Sequence, residues 1–209
     1  MIGLLGGTFD PIHLGHLRPA LDCLQALGLD QVRLIPLHVA VHRQQPQADG
    51  ATRLRMLRAA IVDEPGLVAD ARELERPGGS YTIDTLKALR AELGRSVPLC
   101  LLLGSDAFAG FLDWYRPLEI LGLAHLVVMR RPEPGPPLVP ELERLTTERR
   151  CSDASALAGS PGGRILFQEV TQMAISATRV RELVRAGASI RYLVPDPVLE
   201  IIRRDGLYL

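Results

Sequence analysis

Two histidines, His13 and His16, stand three residues apart just downstream of Gly6-Gly7-Thr8-Phe9-Asp10-Pro11. Histidine titrates near neutrality, so a pair of them offers proton-dependent hydrogen-bond donors. Glycines beside them let the backbone turn sharply and approach a ligand with no Cβ in the way. A helix starting there would add N–H groups and a partial positive charge, which favour phosphate. A second polar group lies far downstream at Ser176, Thr178 and Arg181. Two hydroxyls and a guanidinium also suit phosphate, arginine by two parallel hydrogen bonds. Neither GxxxxGK[ST] nor GxGxxG occurs in the chain. No Ser/His/Asp or Cys/His arrangement is evident. The chemistry indicated is therefore the binding of phosphates by fixed donors.

The elements that must hold these residues are legible as apolar patterns. Ile2, Leu4 and Leu5 read as a short buried strand ended by Gly6-Gly7. Leu14, Leu17, Leu21, Leu24 and Leu27 form one helix face, stopped by Gly28. Gln31–Pro36 reads as a second strand. Beyond its carboxyl end, where ligands of open parallel sheets bind, come His38, His42 and Arg43. His38 reads as a solvent-facing loop residue, and the stretch from Gln44 to Ala51 as polar and flexible. Thr52 is expected to cap a helix through Leu54, Leu57 and Ile61. Arg53 in its first turn opposes the helix dipole, which leaves a solvated arginine or a substrate contact. Leu67–Ala71 reads as the third strand. Thr82 is expected to cap the next helix, which ends near Gly94.

Pro98–Leu103 is nearly all apolar, as in a central parallel strand, and ends at Gly104-Ser105-Asp106. His125–Met129 and Ile165–Val170 supply two more strands. Pro132–Pro140 reads as an irregular connector, 141–150 as a short helix and 152–163 as mobile. A helix begins in the stretch Met173 to Arg181, and a last one follows Pro195 and Pro197. Strands and helices thus alternate six times. That pattern predicts an α/β fold: a doubly wound, Rossmann-like parallel sheet with a small helical C-terminal part from about residue 174. At 209 residues, 47% hydrophobic and 23% charged, residues 1–209 are expected to form a single domain. Twenty-four basic residues balance 24 acidic ones, so no net field draws the chain to nucleic acid or anionic lipid. No run approaches a membrane span, and a cytoplasmic enzyme is the expectation. Cys23, Cys100 and Cys151 are widely spaced, with the first two expected to be buried, inert thiols.

GGTFDPIHLGH resembles the signature of the HxGH nucleotidyltransferases, and ISATRVR resembles that superfamily's second signature. The resemblance implies that His16 meets the α-phosphate and the transition state. It implies ATP contacts from His13, Gly6, Gly7, Thr8, Phe9, Ser176, Thr178 and Arg181, the last three toward the β,γ-phosphates. SYTIDTL resembles the branch that makes nicotinate adenine dinucleotide in NAD biosynthesis, the nicotinate-nucleotide adenylyltransferases. For that branch the mononucleotide site falls on Asp10, His42, Arg43, Tyr81, Thr82, Gly104, Asp106 and Trp114, with Trp114 stacked on the pyridine ring. Val41 and Ala177 depart from the pattern, where the family has proline and serine. The implied partners are ATP and nicotinate mononucleotide, with Mg²⁺ held mainly by substrate phosphates. Nucleic acid and membrane are not among them, and a homo-oligomer is left open. Two alternatives stand at this point: a related enzyme acting on another acceptor such as phosphopantetheine, and a nucleotide-binding module without activity.

Overall fold

Six apolar runs become six parallel strands in the computed structural model, which describes residues 1–39, 45–130, 135–171 and 173–209. They are β1 (Ile2–Gly7), β2 (Gln31–Pro36), β3 (Leu67–Ala69), β4 (Leu99–Gly104), β5 (His125–Arg130) and β6 (Ile165–Glu169). The helices are α1 (Leu14–Ala26), α2 (Gly50–Ala60), α3 (Arg72–Glu75), α4 (Thr82–Leu93) and α5 (Ser105–Ala109). They continue with α6 (Pro117–Leu123), α7 (Pro140–Arg149), α8 (Ser155–Ala158), α9 (Ala177–Arg185) and α10 (Asp196–Arg204). The sheet order is β3-β2-β1-β4-β5-β6, so the winding direction reverses between β1 and β4.

Successive strand residues point to opposite faces, and each face buries its own core. Leu5, Leu34, Leu102 and Val127 face α1, α2 and α10, where Cys23, Met56, Leu57, Val198 and Ile202 meet them. Leu4, Leu101, Leu103 and Val128 face the other way, onto Ile83, Leu86, Phe108, Phe111, Ile120 and Leu142. Full burial of one such side chain contributes about 1.5–3 kcal/mol. That is what retains helices as short as α5 and α8, which have too few residues to persist alone.

The register shows where the sheet opens. β1 stays paired with β2 as far as Gly7 opposite Pro36. Its pairing with β4 covers only Ile2–Leu99 to Leu4–Leu101. β4 itself continues beside β5 to Gly104 opposite Met129. The two central strands therefore part beyond Leu4 and Leu101, at their carboxyl ends.

Several boundaries differ from the sequence expectation for local reasons. α2 starts earlier, because Asp49 caps it by accepting the Thr52 N–H at 2.7 Å; Thr52 is already helical. α4 is entered from Tyr81 with no side-chain cap, so Thr82 is its first helical residue. Residues 152–163 are well placed: Leu157 is fully buried, the His125 ring meets the Ser160 carbonyl at 2.8 Å, and Arg90 donates to the Pro161 carbonyl at 2.7 Å. α3, α5 and α6 are too short to show a periodic pattern.

Cys23 and Cys100 are buried, and burial pushes both thiols up to about 12. A thiol reacts through its thiolate. In the native protein at pH 8, Cys151 is expected to react first with an aromatic disulfide reagent, Cys23 and Cys100 only after denaturation. Peptide mapping of the labelled sites checks this.

Candidate active site

Where β1 and β4 part, a cleft of about 220 Å³ opens, lined by Leu5, Gly15, His16, Gly104, Ser105, Asp106 and other residues. It lies at the reversal of strand order, beyond the strands' carboxyl ends, where open α/β sheets bind ligands. Gly6 and Gly104 are both exposed, and a Cβ built on either meets nothing within 4 Å. Gly104 has φ −70°, a conformation open to any residue, and Gly6 has no positive φ. The protein itself has no steric use for glycine at these two positions. The space beside both backbones is open at the carboxyl ends of β1 and β4.

The turn from β1 into α1 is built differently. A Cβ on Gly7 would lie 2.7 Å from the Phe9 ring. Phe9 is buried at φ 48°, a left-handed conformation that costs a non-glycine residue about 1 kcal/mol or more. His13 caps α1 through its backbone: its carbonyl accepts from His16 N at 2.9 Å and Leu17 N at 3.2 Å. Leu14 N donates to the Leu193 carbonyl at 2.9 Å. Of the N–H groups expected to face an anion at this helix start, Gly15 N–H is the one left. Gly15 must be small, since a Cβ would sit 3.0 Å from His13 Nδ1 and 3.2 Å from the Ile175 carbonyl. The two signature stretches thus meet at Gly15 and Ile175.

The His13 and His16 rings stack, with centroids 3.6 Å apart and planes 25° from parallel. Phe9 meets His16 edge-on at 5.1 Å. The Nδ1 atoms of both histidines are buried without a partner, and His16 lines the cleft. Burial pushes His13 down to about 4. His16 also lies well below the ordinary histidine value, first from burial and then from His13 beside it. Both rings are therefore neutral at pH 7, each with one N–H to give.

Asp10, which the resemblance puts at the mononucleotide, has its carboxylate turned into the protein. It is 2% exposed, and its carboxylate accepts Gln47 N at 2.7 Å, Ala48 N at 3.1 Å and the Tyr208 hydroxyl at 2.8 Å. Arg53 is neither solvated nor aimed at a substrate. It is 1% exposed and donates to the carbonyls of Thr8 (2.7 Å), Leu37 (2.7 Å) and Ala48 (3.2 Å). Burial lowers its pKa, with Asp10 opposing. Arg181 donates to the Asp10 carbonyl at 2.7 Å and to the Thr178 hydroxyl at 3.3 Å, and its Nε is buried without a partner. Ser176 caps α9 by accepting Arg179 N at 3.1 Å.

On the other side of the sheet, the Tyr81 ring lies 5.2 Å from Tyr115, and Trp114 leans on Phe111 at 5.8 Å. Tyr81 and Trp114 pack against the same core, which brings the SYT stretch beside the aromatic one. Ser80 fastens the loop after β2 to this region: its hydroxyl accepts His38 N at 2.9 Å, and its N–H donates to the Val39 carbonyl at 3.3 Å. His38 is exposed, as expected. Asp106 lines the cleft from α5. His42 and Arg43 lie outside the described residues. Sequence reasoning missed Tyr208 and Leu193, which carry no local pattern. Arg53 had a signal, its unfavourable place in a helix's first turn.

A cytidylyltransferase-like family model matches residues 4–183. A "Probable nicotinate-nucleotide adenylyltransferase" from Methylococcus capsulatus is 47% identical over 209 residues, covering all of this chain and 99% of its own. One from Aeromonas salmonicida is 48% identical over 207 residues, 99% of this chain and 96% of its own. The chain belongs to the nicotinate-nucleotide adenylyltransferase family. Within that family the fold extends widely. The Plasmodium falciparum nicotinic acid mononucleotide adenylyltransferase complexed with NaAD has a TM-score of 0.71 at 15% identity, covering 99% of this chain and 96% of its own. The same enzyme complexed with APC gives 0.70 at 16%. At such identity the likeness is one of fold. No helix among the described residues is long and apolar enough to cross a membrane.

The two unfilled glycines give a direct test of the cleft. Gly6→Ala and Gly104→Ala should each leave folding stability within about 0.5 kcal/mol, as surface substitutions do. Each should weaken nucleotide binding about tenfold or more, about 1.4 kcal/mol. Thermal melts and titration calorimetry check the pair; unchanged binding in both would move the ligand elsewhere.

Proposed function

We propose that this protein transfers the adenylyl group of ATP to the 5′-phosphate of nicotinate mononucleotide, giving nicotinate adenine dinucleotide and pyrophosphate in NAD biosynthesis. The observation that carries the reading is the stacked His13–His16 pair at the mouth of the β1–β4 opening, with Arg181 reaching the same turn. A phosphate oxygen of the mononucleotide attacks the α-phosphorus, and the bond from it to the bridging oxygen breaks as pyrophosphate leaves. The attacking phosphate is already ionised near neutral pH, so no general base is needed. What the chain must supply is alignment and donors for the growing charge. In this reading His16 Nε2–H meets the α-phosphate, and His13 Nε2–H and Gly15 N–H meet the triphosphate. Ser176, Thr178 and Arg181 serve its outer phosphates. Gly6, Gly7, Thr8 and Phe9 shape the nucleotide side through their backbone.

Mg²⁺ fits the site as a guest of the substrate rather than of the protein. Among the described residues no three His, Cys, Asp or Glu side chains group as metal ligands, and the Asp10 oxygens are taken. Phosphate oxygens and water would hold the ion, and when bound it neutralises part of their charge. The relatives solved with NaAD and with APC support nucleotide substrates of this kind. The reading places the protein in the cytoplasm.

His16→Ala should lower kcat about a hundred- to a thousandfold, the usual cost of losing one transition-state donor, with an unchanged circular dichroism spectrum. A folded variant turning over at the wild-type rate would remove His16 from the mechanism.

The acceptor is the finer part of the proposal. No side chain caps the start of α4, so the first N–H groups of that helix, at Thr82 and Ile83, stay open to an anion. A nicotinate carboxylate accepts from them and from the Thr82 hydroxyl, whereas the amide NH₂ of nicotinamide would face donor against donor. A site built for one hydrogen-bonding pattern rejects the mismatched analogue sharply. Trp114 would stack on either ring and set affinity rather than choice. Pyrophosphate release with each mononucleotide is expected to give kcat/KM at least roughly a hundredfold higher for the acid, about 2.7 kcal/mol. Comparable efficiencies, or turnover only with another phosphate acceptor, would refute this assignment.

A further inference from the structure

We propose that Tyr208, the second-last residue, is a positioning residue of this active site, acting through Asp10. The inference rests on the adenylyl-transfer reading above. Tyr208 itself lies outside both signature stretches. The Tyr208 hydroxyl donates to Asp10 Oδ1 at 2.8 Å, and both residues are buried. Asp10 sits in the turn between Phe9, held at φ 48°, and His13. That turn decides where both imidazoles stand.

The tail is built to deliver this hydroxyl. α10 packs on α2 through Val198, Leu199, Ile201 and Ile202. Asp205 pairs with Arg55 of α2, which fixes the end of the tail against the same helix. Gly206 at φ 59° then turns the chain back. Tyr208 itself is held at φ 67°, a left-handed conformation that a bulky residue adopts only when its surroundings impose it. Leu209 beyond it is 86% exposed and packs on little. The ring of Tyr208 joins the α1–α2–α10 core, while its oxygen leaves that core for the carboxylate.

The alternative is a plain core tyrosine whose hydroxyl happens to find an acceptor. Two features argue against that. The Asp10 carboxylate is one of the few buried charged groups, and its other two donors, Gln47 N and Ala48 N, belong to the segment that leads into α2. The Asp10 carbonyl also receives Arg181. One residue thus joins the histidine turn, the segment before α2, the arginine of the second signature and the C-terminus. Removing one of three donors to a buried carboxylate frees it to shift.

The test is Tyr208→Phe, which keeps the ring and removes one oxygen, with circular dichroism to confirm the fold and assays run well below its melting midpoint. Positioning errors act on the transition state, so kcat should fall roughly ten- to a hundredfold. KM for both substrates should stay within about twofold. In the His16→Ala background the same substitution should cost clearly less, because one of the two imidazoles it aligns is gone; a general loss of integrity would cost the same factor in both backgrounds. Deleting Leu209 should leave kcat unchanged. Hydrogen exchange at Gln47 and Ala48 should quicken in Tyr208→Phe, a readout that needs no activity. A wild-type kcat in Tyr208→Phe, equal losses in both backgrounds, an equal loss on deleting Leu209, or unaltered exchange would each overturn the proposal. A wild-type protein inactive on every pyridine mononucleotide would instead sink the functional reading, with the exchange measurement still deciding the role of Tyr208.

Discussion

A buried carboxylate is expensive unless its oxygens are occupied, and the Asp10 carboxylate is occupied by three donors from two distant parts of the chain. Arg53 makes the complementary arrangement: a buried cation donating to three backbone carbonyls. Each satisfies the other's surroundings. Arg53 closes off Thr8 and Leu37, the residues just beyond the ends of β1 and β2, and takes the Ala48 carbonyl while Asp10 takes the Ala48 N–H. Two loops that leave neighbouring strands are thereby held at fixed separation. The catalytic turn inherits that rigidity. Such a network is worth having only when complete, since a half-satisfied buried ion costs more than an apolar core would.

The sheet supplies the other half of the design. Parallel strands buried on both faces carry few polar side chains into the core, so polar groups collect where strands end. The ladder between β1 and β4 stops short, and the cleft takes its room from that parting rather than from a cavity within either core. Glycines serve opposite purposes on either side of it. Gly7 and Gly15 are small because protein atoms crowd them, Gly6 and Gly104 because nothing does. A sequence shows the same letter in all four places.

That contrast marks how much was legible beforehand. The six strands, their order of alternation with helices and the two phosphate-suited clusters follow from patterns local in sequence, and the fold agrees with them closely. Helix starts were misplaced where the cap was one of several candidates, as with Asp49 and Thr52. The burial of Arg53 is not legible in sequence, because arginine is ordinarily exposed and only a set of carbonyls brought together by folding makes its burial tolerable. The surroundings of Asp10 are hidden for a like reason: its partners, Gln47, Ala48 and Tyr208, lie 37, 38 and 198 residues away. Nothing in a local window predicts them. The helix-dipole argument for α1 was sound in principle, yet the Leu193 carbonyl takes the first N–H.

The histidine pair then has to be understood as a neutral device. At 3.6 Å, two imidazolium charges would repel by about 4–5 kcal/mol even at an effective dielectric constant of about 20. Burial lowers both pKa values, and His13 beside it lowers that of His16 further. Neutral rings still donate one N–H each. In the proposed reading a bound triphosphate supplies the negative charge and raises the affinity of the pair for a proton. Charge therefore enters with the substrate instead of being stored in the resting site. The desolvation that would make a fixed imidazolium costly makes each neutral N–H a stronger donor to an oxyanion, and the polarity that catalysis needs is established when the phosphates are in place.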